Sequence, residues 1–243
     1  MRSRPKKGIF FGKEKIMAKM LYCLWAFLFF VGSAFALNTG DIIQIEYDLQ
    51  GGINNPNNAS SYAYNPNSAY NIYLLPATRE GYEFLGWYKK TSDNLLASNS
   101  VWTQINPRNG QNNAPNGKIS FYARWGVPSK IPQRDVSGCM LVHDAAELYG
   151  AVKVSDSLTN NYEKACIFIE NDIVVNKNLL AADGSLNEGE HYWWKAFDRF
   201  SGVIEGNGHT ISGLYGDVGL IDNIFAEHVS IQNLGIIDRK SVV

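Results

Sequence analysis

Residues that usually carry metal or nucleophilic chemistry are scarce in this chain. Its 243 residues include four histidines and three cysteines. They form no His-Glu-x-x-His or Cys-x-x-Cys motif, and the sequence contains neither a Gly-x-Ser-x-Gly elbow nor a phosphate-binding glycine loop. The sequence therefore predicts no metal site, no cofactor and no familiar nucleophilic centre.

Long apolar runs are missing as well. The run Met20–Val31 has 12 residues, whereas a helix needs about twenty to span a bilayer. Lysines precede this run and Ala34-Phe35-Ala36 follows it, which is the arrangement of a secretory signal peptide. We predict a signal peptide over residues 1–36, cleaved between Ala36 and Leu37. A retained anchor is the competing interpretation, and either Met1 or Met17 serves as the start.

Without this leader the chain is acidic. Residues 1–36 hold 7 of the 22 Lys and Arg side chains and 1 of the 23 acidic ones, so 15 basic and 22 acidic side chains remain, a net charge of −7. A negative balance argues against nucleic acid as a partner. We expect an exported protein of the cell envelope or extracellular space that makes no membrane contact after cleavage.

Alternating side chains predict strands on both sides of an aromatic segment. Ile43, Ile45 and Tyr47 alternate along one stretch, and residues 119–125 alternate in the same way. Between them, residues 81–88 read Gly-Tyr-Glu-Phe-Leu-Gly-Trp-Tyr, and Gly86 is expected to let another backbone or a ring come close. The rings are expected to build a small core. Its defining residues are Tyr82, Phe84, Gly86, Trp87, Phe121 and Trp125.

These motifs resemble the internalin-type B-repeat, also called the Listeria–Bacteroides repeat. The opening strand Ile45–Gly52 ends in Gly-Gly, the hairpin Gly81–Tyr88 follows, and Phe121–Trp125 closes with aromatic-Ala-x-Trp. The resemblance covers residues 42–126. It implies a β-grasp-like domain over residues 37–126, of a kind that occurs in surface proteins and has no catalytic centre.

The composition changes after this segment. Residues 127–137 contain two prolines among polar residues and are predicted to form a short, stiff linker. Asp144-Ala-Ala-Glu147 then predicts a capping box that opens a helix ending near Ala151. This cap explains the spacing of His143 and Glu147 better than a metal pair does.

Cys139 and Cys166 remain after cleavage of the leader. In an exported chain an even pair of cysteines predicts a disulfide. Free buried thiols are the alternative.

The segment Phe200–Tyr215 carries a second resemblance. It reads Phe-x-Gly-x-x-x-Gly-Asn-Gly-His-Thr-Ile-x-Gly-Leu-Tyr and is similar to the entry coils of pectate-lyase-like, right-handed parallel β-helices in bacterial surface and polysaccharide-degrading proteins. Residues 218–221 and 229–236 are similar to the Gly-Leu repeat of secreted adhesin-like chains. The pattern of residues 211–214 recurs at 231–234, and this spacing suggests that one coil separates the two copies.

The resemblance implies a capping helix and an incomplete parallel β-helix over residues 138–243. Gly206, Gly208 and Gly213 are expected at its corners. An incomplete β-helix leaves an unpaired edge, so edge-to-edge self-association is expected. The side chains expected to point inward are Ile204, Ile211, Leu214, Leu220, Ile231 and Leu234.

Taken together, these features predict a mainly β, non-catalytic, adhesin-like protein that binds carbohydrate or a cell-surface protein. Trp102, Trp193 and Trp194 are the candidate ligand-contact rings. One alternative is the N-terminal part of a β-helical polysaccharide lyase or glycoside hydrolase, and another is a passive structural stalk. The acids available to an enzyme have no spacing that defines a catalytic pair. They are Asp198, Glu205, Asp217, Asp222 and Asp238.

Overall fold

The computed structural model describes five ranges of the chain: 36–90, 96–114, 116–160, 163–237 and 240–241. Strands dominate these ranges, which confirms the prediction of a mainly β protein. The predicted signal peptide lies outside the described residues except for Ala36. Among the residues that are described, no helix is long and apolar enough to cross a membrane.

The first unit (residues 36–126) is built on a five-stranded sheet. The strands are β1 (Ile42–Asp48), β2 (Ser61–Ala63), β3 (Ile72–Tyr73), β4 (Glu83–Lys90), β5 (Leu96–Trp102), β6 (Gln104–Ile105) and β7 (Lys118–Gly126). The large sheet has the order β2-β1-β7-β4-β5, in which β1 and β7 are parallel and the other pairs antiparallel. β3 and β6 pair separately, and a 3₁₀ turn (Pro107–Asn109) and helix α1 (Gly110–Asn113) precede β7.

The predicted alternation places one face of β1 and β7 in the core of the first unit. Trp87 of β4 is also buried there, and its indole N–H donates to the carbonyl of Leu75 at 2.9 Å. Tyr82 and Phe84 pack against this core from partly buried positions. The buried residues that β1 and β7 contribute to it are Ile43, Ile45, Ile119, Phe121, Ala123 and Trp125.

Gly86 lies at a register shift where β4 pairs with β7. Its φ is 139°, and a Cβ there would lie 2.6 Å from Cγ1 of Val101 on β5. The close approach expected at this glycine is present. The group that approaches is a valine side chain rather than a backbone or a ring.

The second unit (residues 127–241) contains mostly parallel strands. They are β8 (Gln133–Arg134), β9 (Met140–Val142), β10 (Ala165–Ile169), β11 (Ile173–Val174), β12 (Phe200–Glu205), β13 (Thr210–Ser212), β14 (Tyr215–Gly216), β15 (Ile224–Gln232), β16 (Gly235–Ile237) and β17 (Lys240–Ser241), with helix α2 (Ala145–Asn160) between β9 and β10. They form three sheets, β15-β12-β10-β9-β8, β11-β13-β16 and β14-β17. Every pair of these strands is parallel except β8 with β9.

Successive segments of the second unit stack in register. Ile204 of β12 pairs with Ile231 of β15, and Ile211 of β13 pairs with Ile236 of β16. In both pairs the separation of the two residues along the chain is larger than the separation predicted from the recurrence of 211–214 at 231–234. The predicted offset is therefore wrong, because it matched Ile211 to Ile231, which lie in different sheets.

The inward positions follow the prediction until the last segment. Ile204, Ile211, Leu214 and Leu220 are buried, and Leu234 is partly buried against the same core. Ile231 was expected to point inward but is 47% exposed. The reason is that β15 is the end strand of its sheet, so Ile231 has a paired neighbour on one side only. Self-association through this edge stays a prediction.

Helix α2 begins with the predicted cap. Oδ1 of Asp144 accepts a hydrogen bond from the N–H of Glu147 at 2.8 Å, and the Glu147 carboxylate accepts one from the N–H of His143 at 2.9 Å. Burial alone would raise the pKa of Glu147, but hydrogen bonds from Lys130 and His143 outweigh it and lower that pKa to about 2. The Glu147 carboxylate therefore caps the helix and also binds Lys130 and His143 in the segment before it.

The same helix is longer than predicted, since it continues to Asn160 instead of ending near Ala151. Leu148 and Val152 are buried against the strands of the second unit, and this packing outweighs the low helix propensity of Gly150. A Cβ on Gly150 would lie 1.9 Å from the carbonyl oxygen of Lys130, so the glycine lets the predicted linker cross the helix.

The predicted disulfide between Cys139 and Cys166 is confirmed, with an S–S distance of 2.07 Å. Cys139 directly precedes β9 and Cys166 belongs to β10, so the bond ties two neighbouring parallel strands together. A disulfide is consistent with an extracellular environment.

Candidate functional site

A cleft of about 600 Å³ lies between the two units. Strands β4 and β7 and the turn at Gln50 and Gly51 line one side, and residues 186–193 with β14 line the other. The polar and aromatic residues in its lining are Gln50, Arg79, Lys90, Tyr122, Arg124, Trp125, Glu190, His191, Trp193 and Tyr215.

Arg124 is the most deeply buried of the charged residues that line this cleft. Its side chain is 3% exposed, and the guanidinium lies 3.8 Å from the ring centroids of Tyr88 and of Trp193. Both terminal nitrogens contact the carboxylate of Asp217, and Nη2 also donates to the hydroxyl of Tyr122 at 2.8 Å. Pairing and stacking compensate for removing this charge from water.

The sequence of β7 explains why an arginine is buried at this position. Phe121, Ala123 and Trp125 face the core of the first unit, so Tyr122 and Arg124 face the opposite side. The second unit covers that side, and the N–H of Trp193 donates to the carbonyl of Trp125 at 2.7 Å. Both faces of β7 are therefore buried, which the alternation alone did not show.

An ion cluster joins the two units at the mouth of the cleft. The guanidinium of Arg79 lies 3.8 Å from the centroid of the Tyr82 ring, and its Nη2 is 2.5 Å from Oε1 of Glu190. The hydroxyl of Tyr82 donates to Oε2 of Glu190 at 2.9 Å. The hydrogen bond from Tyr82, followed by the contact with Arg79, lowers the pKa of Glu190, which is therefore ionised at neutral pH.

Three partly buried rings stand on the side of the second unit. The ring centroids of Trp193 and Tyr215 are 4.9 Å apart, and those of His191 and Tyr215 are 5.5 Å apart. Burial raises the pKa of the Tyr215 hydroxyl, which therefore stays protonated at neutral pH and is available as a donor. The rings present apolar surface beside charged groups and hydrogen-bonding edges.

Buried Asn176 positions the segment that carries these rings. Its amide nitrogen donates to the carbonyls of Tyr192 and Gly213, at 2.9 and 2.8 Å, and its side-chain oxygen accepts from the N–H of Tyr192 at 2.7 Å. Residues 191–193 have no regular helix or long strand to hold them, so this amide substitutes for a ladder of backbone hydrogen bonds.

A second groove of about 690 Å³ adjoins the cleft. Both cavities include Gly189, Glu190 and His191 in their lining, so they lie next to each other along this segment. Asn178 and Asn187 supply amide groups to the second groove. Together the two linings offer amide, charged and aromatic side chains, which can supply hydrogen bonds and apolar contacts to a ligand.

The three predicted ligand-contact tryptophans have different positions. Trp193 lines the cleft. Trp102 is partly buried on β5 of the first unit, with its ring 5.6 Å from that of Phe121, and it is not part of the cleft lining. Trp194 was expected to contact a ligand, but it is 1% exposed and its indole N–H donates to the Gly219 carbonyl at 3.0 Å. Trp194 is therefore a core residue and not part of the site.

Three of the acids considered for catalysis come near one another. Asp198, Asp217 and Asp222 line a cavity of about 210 Å³ together with Lys195. The carboxylate of Asp217 is already engaged by Arg124. Asp238 lies outside the described residues, and within the described ranges no group of three or more His, Cys, Asp or Glu side chains is placed to hold a metal ion.

Most residues of the cleft were not singled out from the sequence. Arg79 and Glu190 are distant along the chain and belong to no motif. A signal was present at Arg124, because an arginine between Ala123 and Trp125 on a buried strand requires a counter-charge. No family model, characterised protein or solved structure matches the chain.

Proposed function

We propose that this chain is an exported, adhesin-like interaction protein that binds a polysaccharide in the cleft between its two units, without catalysing a reaction on it. The observation that supports this proposal is the open cleft in which Trp193, Tyr215 and His191 stand opposite Arg79 and Lys90. Sugar rings combine apolar faces with hydroxyl groups, and a cleft that combines aromatic faces with charged donors and acceptors complements both.

The proposal includes a fold assignment for each unit. Residues 37–126 would be a β-grasp-like B-repeat, supported by the parallel pairing of β1 with β7 and by the aromatic core. Residues 138–243 would be the start of a right-handed parallel β-helix, supported by the parallel pairing of β12 with β15 and of β13 with β16. Such scaffolds present binding residues on rigid elements, and the site, not the fold, carries the functional argument.

The test compares cleft variants with an exposed aromatic outside the cleft. The full chain with its disulfide intact is run through native gels that contain neutral or anionic polysaccharides. His191→Ala and Tyr215→Ala are expected to weaken retention about three- to tenfold, in the range of one lost ring contact. Tyr73→Ala is the control, since Tyr73 is 66% exposed on β3 and lies outside the cleft lining.

Two outcomes would contradict the proposal. If the wild-type chain is retained by no polysaccharide, the cleft does not bind glycans. If the folded His191 and Tyr215 variants are retained like the wild type, binding occurs elsewhere or the chain is a passive stalk. Thermal melting of each variant separates a lost contact from a lost fold.

A second candidate function rests on the cavity lined by Asp198, Asp217 and Asp222. Clustered carboxylates are the usual groups of glycoside hydrolysis, so the chain could be part of a polysaccharide-cleaving enzyme. New reducing ends released from a retained polysaccharide, and lost in Asp198→Asn and Asp222→Asn, would favour this candidate. Retention without cleavage favours the binding protein.

A further inference from the structure

The cations at the cleft lie in its lining, whereas two of their three carboxylate partners lie behind it. Arg79, Lys90 and Arg124 line the cleft, and Glu190 is the acidic residue in that lining. The carboxylates that pair with Lys90 and Arg124 belong to Asp48 and Asp217, which are not part of the lining. Each of the three cations is therefore paired with a carboxylate, and of these three carboxylates Glu190 alone belongs to the cleft lining.

Glu190 occupies a site that has the geometry of carboxylate recognition. One of its oxygens is 2.5 Å from a guanidinium nitrogen of Arg79, and the other accepts a hydrogen bond from Tyr82 at 2.9 Å. An arginine and a hydroxyl that both donate to one carboxylate form charge-assisted hydrogen bonds, and the two donors fix the orientation of the carboxylate. Any carboxylate or sulfate that reaches this position finds the same two donors.

The two partners differ in how firmly they are held. The side chain of Arg79 is 14% exposed and lies over the Tyr82 ring, whereas the side chain of Glu190 is 67% exposed. The Arg79 guanidinium is thus held by packing against the Tyr82 ring, whereas the Glu190 carboxylate is largely exposed to solvent. An exposed ion pair contributes little to stability, so a competing anion can replace Glu190 at small cost.

We propose that the cleft selects anionic polysaccharides, and that Glu190 is a built-in competitor occupying the place of the ligand's acidic group on Arg79 and Tyr82. This assignment rests on the polysaccharide-binding function proposed above and adds the chemical class of the ligand. In the free protein the Glu190 carboxylate pairs with the partly buried guanidinium of Arg79. In the complex a carboxylate of the polysaccharide replaces it, and Glu190 turns into water.

The experiment uses pairs of polymers that share a backbone and differ in charge. Dextran is compared with carboxymethyl-dextran, and hydroxyethyl-cellulose with carboxymethyl-cellulose, each immobilised for surface plasmon resonance with the full chain. The wild type is expected to bind the carboxymethyl polymers more tightly, and high NaCl concentration should reduce the difference. Arg79→Gln should weaken binding of the anionic polymers by about tenfold or more.

Glu190→Gln is the decisive variant because its effect has an unusual direction. Removing the competitor should strengthen binding of the carboxymethyl polymers about two- to fivefold, and it should raise their affinity relative to that of the neutral polymers. Glu188→Gln is the matched control. It removes the same charge two residues away, from the lining of the neighbouring groove, and should change the affinity less than Glu190→Gln does.

The outcomes separate this assignment from the function on which it rests. If no polymer binds to the wild type, both fail. If each neutral polymer binds as tightly as its carboxymethyl partner, polysaccharide binding stands and the anionic class is wrong. A weaker affinity of Glu190→Gln for carboxymethyl polymers would make Glu190 a structural latch rather than a competitor. Equal binding of a thymidine oligonucleotide would show attraction to any polyanion and overturn the selection of glycans.

Discussion

Arg124 and Asp217 join the two units through charges that are almost entirely removed from water. Their side chains are 3% and 10% exposed. In Asp217→Ala the guanidinium keeps the hydroxyl of Tyr122 and the flanking rings but loses its counter-charge. Those contacts already exist in the wild type, so they do not offset the loss. We expect the free energy of unfolding to fall by about 3–5 kcal/mol, the usual effect of breaking a buried ion pair from one side.

Urea denaturation followed by tryptophan fluorescence measures this change, because Trp193 stacks directly on Arg124. The double variant Arg124→Met/Asp217→Ala should regain much of the loss, since it leaves no uncompensated charge in the interface. Asp48→Ala is the matched control. The Lys90–Asp48 pair is 23% and 37% exposed, so breaking it should cost at most about 1 kcal/mol.

Two results would refute this reasoning. One is a loss in Asp217→Ala no larger than that in Asp48→Ala, which would mean that water reaches the guanidinium. The other is a double variant that is less stable than the single variant, which would mean that the pair contributes through packing and not through charge compensation.

Three further predictions concern the scaffold. Replacing Cys139 and Cys166 with alanine should lower the free energy of unfolding by about 3 kcal/mol in urea, because the bond closes a long loop, with a sequence separation of 27; an unchanged midpoint would contradict this. Gly86→Ala should cost about 1–3 kcal/mol in thermal melting, because its φ of 139° disfavours any side chain; an equal melting temperature would show that the bulge relaxes. The folded-state pKa of Glu147 is lowered from 4.5 to about 2, so its contribution to stability is present above pH 4.5 and is lost as the pH falls toward 2. Glu147→Gln should therefore flatten the pH dependence of the urea midpoint in that window, and an unchanged slope would exclude Glu147 as its source.

Local chemistry accounts for what was predicted correctly. The alternation of Ile43 and Ile45 and of the residues 119–125 reports which side chains face the core of the first unit, and that signal needs no knowledge of distant residues. The capping residues Asp144 and Glu147 act within one turn of helix, so their spacing alone identifies the start of α2. The cysteine pair was predictable because two cysteines, an even number, lie outside the predicted signal peptide.

The errors arise where two distant segments meet. The predicted end of α2 is too early because the burial of Leu148 and Val152 against distant strands extends the helix past Gly150, a residue of low helix propensity. Trp194 was assigned to a ligand because a tryptophan in an irregular segment gives no sign of its burial. Its neighbour Trp193, one position earlier, faces the cleft.

The sequence by itself determined strands β1 and β7 of the first unit, the cap of α2, the disulfide between Cys139 and Cys166, and a mainly β architecture. Each of these depends on neighbours along the chain or on a count of residues. Tertiary structure alone decided the stacking register of the second unit and the pairing of Arg79 with Glu190 and of Arg124 with Asp217. Those pairs join residues that are far apart along the chain, and their contact depends on how the two units pack, which no local pattern encodes.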